Sequence, residues 1–97
     1  LIKESITILG NTQFNSNNIG NITVRFSPDR TIENNTAVSG VATSNEEGFY
    51  LVELLAGSYL VTVNQVVNET GIDETYTFDG ALDVLTPIKF DIPLQKE

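Results

Sequence analysis

Apolar and polar residues alternate along most of this chain, in short runs rather than one long stretch. The cleanest run is Asn21 to Ser27. There Ile22, Val24 and Phe26 share one face and Asn21, Thr23 and Arg25 the other, and Pro28, with no ladder donor, closes it. Lys3 to Leu9 repeats the pattern, with Ile6 and Ile8 against Ser5 and Thr7. The stretch Thr43 to Val63 organises the rest. It predicts a strand hairpin with Tyr50, Val52 and Leu54 on one face of the first arm and Tyr59, Val61 and Val63 on one face of the second. A tight turn at Ala56-Gly57-Ser58 joins the arms, and Gly57 supplies its unusual dihedral without steric penalty.

Weaker runs complete the pattern. Ala37 to Ser44 predicts a strand around Val38 and Val41, and Glu74 to Phe78 a short one with Tyr76 and Phe78 inward. Pro87 to Leu94 predicts the closing strand, with Ile88, Phe90, Ile92 and Leu94 on one face and Lys89 and Asp91 on the other. Gly10 to Ile19, Asp29 to Thr36 and Gln65 to Gly71 are polar and predict loops; Asn45 to Gly48 and Asp79-Gly80 predict turns. The connection Asp29 to Thr36 is longer than a tight hairpin needs, and such loops are where a sandwich can place function. No stretch keeps a helical period. About seven short strands parted by turns predict an all-β, seven-stranded β-sandwich.

Composition narrows what such a sandwich could do. At 97 residues and 40% hydrophobic content, residues 1–97 make one domain. The chain begins at Leu1 and has no apolar run of membrane-spanning length, so we expect a piece of a larger or processed protein. Thirteen Asp and Glu face five Lys and Arg, a net charge of -8. Nucleic-acid binding and direct contact with anionic membranes are thereby disfavoured. There is no Cys, hence no disulfide, thiolate nucleophile or thiolate metal site, and no His, the commonest general base and zinc ligand. No spacing pairs a nucleophile with a base, so we expect no enzyme, no catalytic residue and no cofactor.

Two surface chemistries remain. Asp73, Glu74, Asp79 and Asp83 form an acidic group that reads first as a solvated face. If the group holds a metal, that metal is calcium, although no Asp-x-Asp-x-Asp-Gly loop is present. Asn21, Asn34 and Asn68 each open an Asn-x-Thr glycosylation sequon.

The sequence Thr43, Gly48, Tyr50, Leu54, Gly57, Tyr59 resembles the carboxypeptidase regulatory-like family, and Ile8-Leu9-Gly10 resembles its opening strand. The relatives of that family are the transthyretin-like (prealbumin-like) sandwiches and the B-type repeats of bacterial collagen adhesins. The resemblance implies a Greek-key sandwich in which Gly48, Tyr50, Leu54, Gly57 and Tyr59 hold the central hairpin. It also raises the intramolecular Lys–Asn or Lys–Asp isopeptide bond of the adhesin repeats. Lys3, Glu53 and Asp91 are the residue types required, but each falls opposite the apolar set of its strand. The histidines of the transthyretin-like hydrolases are missing here.

The expectation is therefore a non-catalytic structural or interaction module of a larger secreted or cell-surface protein. Its partners would be neighbouring domains of the same chain, with a protein or glycan besides. The alternative is an accessory ligand- or carbohydrate-binding domain of a secreted hydrolase, which Phe14 or Phe49 exposed beside a loop-end groove would favour.

Overall fold

Alternation fixes which residues of a strand face inward, and two sheets share the inward set. The computed structural model describes residues 5–69 and 71–96, which hold ten strand segments and no helix. β1 (Ser5–Phe14) is the centre of the first sheet. Its antiparallel neighbour is β5 (Phe49–Leu55), and its end pairs with the two-residue return β2 (Asn17–Asn18). Two terminal pieces, β8 (Ile88–Lys89) and β9 (Ile92–Pro93), run parallel to β1. The second sheet orders β10 (Gln95–Lys96), β7 (Ile72–Val84), β6 (Gly57–Glu69), β3 (Thr23–Pro28) and β4 (Gly40–Thr43).

The core lies between the sheets. Ile8, Tyr50, Leu54 and Ile92 enter from the first; Val24, Phe26, Tyr59, Val61, Val63 and Val84 enter from the second. Each fully buried aliphatic or aromatic side chain here contributes about 1.5–3 kcal/mol. The Tyr50 and Phe26 rings meet across the layer with centroids 6.3 Å apart.

Thr43 to Val63 is not a hairpin. Its two arms are strands of different sheets: β5 pairs with β1, and β6 pairs with β3 and β7. Alternation is the same for two paired strands as for two strands facing each other across a core, so periodicity alone did not distinguish them. Of the residues expected to hold that hairpin, Gly48 precedes β5, Tyr50 and Leu54 lie on it, and Gly57 and Tyr59 lie on β6. Gly48 holds φ +82° and Gly57 φ +151°, while Tyr50, Leu54 and Tyr59 are buried. A Cβ on Gly57 would lie 2.6 Å from the Ala37 amide nitrogen, so the glycine is required twice over.

Other expectations are corrected as well. β1 continues through Phe14, where a loop was expected, because Thr12 prolongs the inward row of Ile8 and Gly10. The buried Thr12 hydroxyl stays satisfied, 2.6 Å from the Ile19 carbonyl and 3.0 Å from Ser44 Oγ, which itself accepts from the Ile22 amide at 2.9 Å. Gln65 to Glu69 and Asp79-Gly80 are strand, parts of the β6–β7 pair of 13 residues each. The far half of that pair meets neither β3 nor β4, and the molecule measures 50 × 24 × 18 Å. In β4 the buried residue is Ala42, while Val38 and Val41 are exposed. The closing segment is divided: Ile88 is exposed, Ile92 and Leu94 are buried, and the chain crosses from the first sheet to the second at Leu94.

The terminal segment approaches β1 where β1 has no side chain. A Cβ on Gly10 would lie 2.0 Å from the Phe90 carbonyl oxygen. That carbonyl accepts the hydrogen bond of the Tyr50 phenol, whose residue sits directly opposite Gly10 on β5. Burial, with the negative charge of Asp91 adding to it, pushes the Tyr50 pKa upward and keeps the phenol protonated as a donor.

Candidate functional site

The connection 29–39, between β3 and β4, has no strand of its own, yet it is fixed at both ends and in the middle. Asp29 starts it: its Oδ1 accepts from the Thr31 amide (3.0 Å) and hydroxyl (2.6 Å), a local turn made by the side chain. Those bonds hold the Asp29 carboxyl below its ordinary pKa. Asn35 pins the middle. Its Oδ1 accepts from the amides of Ser58 (2.9 Å) and Ala37 (3.2 Å), and its Nδ2 donates to the carbonyls of Ser58 (2.8 Å) and Asp29 (3.0 Å). The Thr36 hydroxyl donates to the Ala56 carbonyl at 2.6 Å, and the Val38 amide donates to the Tyr59 phenol at 3.2 Å. The loop is thus tied to the crossing between the sheets, with Asn34 held at φ 58°.

An open depression of about 540 Å³ results, with Asp29, Arg30, Ile32, Asn34, Val38 and Ser39 among its walls. Ile32 and Val38 keep 46% and 54% of their surface exposed, an apolar patch beside polar groups. Among the described residues Arg30 makes no ion pair, and Asp29 Oδ2 accepts no hydrogen bond. The sequence signal for it was the length of this connection. The four bonds of Asn35 were hidden inside what read only as a sequon.

The acidic residues do not converge. Asp73, Asp79 and Asp83 are exposed along β7, and at ~3.3 Å per residue the last two are about 13 Å apart. Glu74 has the opposite strand parity and pairs with Lys96 at 2.9 Å, which holds the Glu74 pKa down and the Lys96 pKa up. Asp73 accepts from the Asn68 side chain at 2.6 Å. Among the described residues no three carboxylates are grouped as a metal would need.

Of the sequon residues, Asn21 and Asn34 are exposed at positive φ. Asn68 lies within β6 rather than in a loop, and its sequon's Thr70 lies outside the described residues. Of the isopeptide types, Lys3 lies outside the described residues. Glu53 is exposed, and Asp91, also exposed, accepts from the Asn11 amide at 2.9 Å and stands 3.8 Å from Lys89. Phe14 is no free platform: it meets Tyr76 edge-on at 5.7 Å, with the Lys96 ammonium 4.8 Å above its ring. Phe49 is exposed on the outer face of β5 beside Leu51.

No family model matches the sequence, and no curated protein does. Two solved structures share its fold. A DUF3823 family protein from Parabacteroides merdae superposes with a TM-score of 0.65 at 9% identity, over 96% of this chain and 47% of the other. The chain therefore spans about half the length of that protein. A Pseudomonas aeruginosa protein named for a proposed carbohydrate-binding role superposes with a TM-score of 0.64 at 15% identity, over 94% of this chain and 89% of its own. At these identities the likeness concerns the fold, all-β with two sheets, and not the activity.

Proposed function

We propose that this chain is a non-catalytic spacer and interaction module of a larger secreted or cell-surface protein, one that carries load between neighbouring domains. The observation supporting this is the direction of its chain ends. Ser5 begins β1 at one pole, and Lys96 lies over Phe14 at the other end of the same strand. At ~3.3 Å per residue those poles are about 30 Å apart. β8 and β9 run parallel to β1, so tension between the two ends shears their cross-strand bonds together instead of opening them one at a time.

We propose further that the topology is the Greek-key arrangement of the carboxypeptidase regulatory-like and prealbumin-like sandwiches. What supports it is the placing of residues that carry the sequence resemblance: Gly57 and Tyr59 sit where β5 passes into the second sheet, and Gly10 and Tyr50 face each other where the terminal segment at Phe90 docks on the first. The exposure of Asn21 and Asn34 accords with an extracellular setting.

Single-molecule pulling tests the load-bearing role. Stretched by its two chain ends, the protein should unfold at clearly higher force than when handles at Leu60→Cys and Ala81→Cys, an exposed facing pair near the open end of the β6–β7 ribbon, peel that ribbon apart towards its turn. Equal or lower force in the end-to-end geometry would remove the case for a spacer under load.

A further inference from the structure

We propose that the depression framed by the connection 29–39 is a binding site for a neutral saccharide. The connection is long and without strand, yet side-chain bonds rather than apolar burial fix its shape. Asn35 alone joins it to Ser58 through two bonds and to its own Asp29 and Ala37 through two more. Asn34 is kept in a left-handed conformation, φ 58°, at its rim. A volume of about 540 Å³ suits one or two sugar rings and falls within the usual range for ligand pockets.

The chemistry of the walls selects the ligand class. A pyranose offers an apolar C–H face and a rim of hydroxyls that both donate and accept. Val38 and Ile32 supply an exposed apolar surface for the face. Asp29 Oδ2 is an ionised acceptor with no partner among the described residues, because Thr31 occupies only Oδ1. Arg30 supplies a fork of donors that no carboxylate engages among those residues. An acceptor and a donor fork on adjacent residues suit neighbouring hydroxyls of one ring. Charge decides between neutral and acidic sugars. Asp29 and Glu33 outnumber Arg30 in this loop, and the chain carries -8 overall, so a uronate or sulfated sugar is repelled. With no aromatic ring in the depression, affinity is on the order of millimolar.

The test is a titration of the isotope-labelled protein, read by amide chemical shifts, with cellotriose, mannotriose, chitotriose and trigalacturonate as probes. At least one neutral trisaccharide should move the amides of residues 29–39 and saturate. Arg30→Ala should then weaken it about tenfold, and Val38→Ser should weaken it as well, both with the melting temperature unchanged. Asp29→Asn keeps the Oδ1 acceptor for Thr31 while removing the charge, and should weaken neutral sugars without admitting the uronate at comparable affinity to wild type's best ligand. The proposal is overturned if no neutral sugar shifts this loop, if the shifts fall elsewhere, or if trigalacturonate binds more tightly. Binding of an unrelated peptide at the loop with no sugar response would overturn it equally. None of these results bears on the pulling experiment, so this site and the spacer role stand or fall separately.

Discussion

Gly10 offers the sharpest test of how the two ends of this chain are joined. In Gly10→Ala the new methyl would sit 2.0 Å from the Phe90 carbonyl oxygen and 2.6 Å from its carbon. Ordinary carbon–oxygen contacts begin near 3.3 Å, so the terminal segment must retreat by about 1.3 Å. Overpacking of this kind costs about 1–3 kcal/mol. The retreat also withdraws the acceptor of the Tyr50 phenol, whose residue is 1% exposed. Leaving that pair unsatisfied costs about 1–3 kcal/mol more. The expected loss is about 2–6 kcal/mol, which at ~4–8 °C per kcal/mol is a fall in melting temperature of about 8–48 °C for a domain of this size. Thermal unfolding followed by circular dichroism measures it directly. Tyr50→Phe removes only the hydrogen bond and should cost about 1–2 kcal/mol. Because Gly10→Ala already breaks that bond, the double variant should lose less than the sum of the two. A Gly10→Ala protein melting within ~2 °C of the parent would refute the reasoning, and so would full additivity.

The same assay checks three further expectations. Gly57→Val forces a β-branched side chain onto φ +151° and against Ala37, and should cost about 1–3 kcal/mol or more. Asn35→Ala abandons four hydrogen bonds, which at ~1 kcal/mol net each should lower stability by about 2–4 kcal/mol and leave the loop amides 29–39 exchanging faster with solvent. The Lys96 hydrogen bond holds the Glu74 carboxyl below its ordinary range, so the contribution is present above that range and lost as pH falls through the lowered value. Glu74→Gln should therefore flatten the acid limb of the melting profile, and an unchanged acid limb would show that the pair carries nothing.

Strand faces were legible where a core lies beneath them, and partners were not. Ile22, Val24 and Phe26, like Tyr59, Val61 and Val63, are inward as alternation requires. The stretch 65–69 reads as a loop in the sequence although it is strand: it lies past the β6 residues that β3 pairs with, and of residues 65–68 only Val67 packs against the core. Asp79-Gly80 has turn composition, but Gly80 stays in the strand, where the Phe78 ring would lie 2.8 Å from a Cβ placed on it. Ile88 to Leu94 alternates without interruption while its partner changes from β1 to β7, a change that period two does not record. At the candidate site the sequence offered only loop length. The depression depends on Asn35 reaching Ser58, a contact 23 residues away.

The parallel pairing at the chain ends also has a consequence for the order of folding. β6 and β7 are consecutive, and their pairing closes from a tight turn outward, so this ribbon costs little loop entropy and is expected to form early. Phe90 and Leu9, 80-odd positions apart by way of the neighbouring Asn11–Asp91 contact, can meet only after nearly everything between them is in place. On the ribosome, where the N-terminal part emerges first, β1 can take β5 as a neighbour but must leave its other edge open until residues 88–93 arrive. The strand made first is the strand completed last.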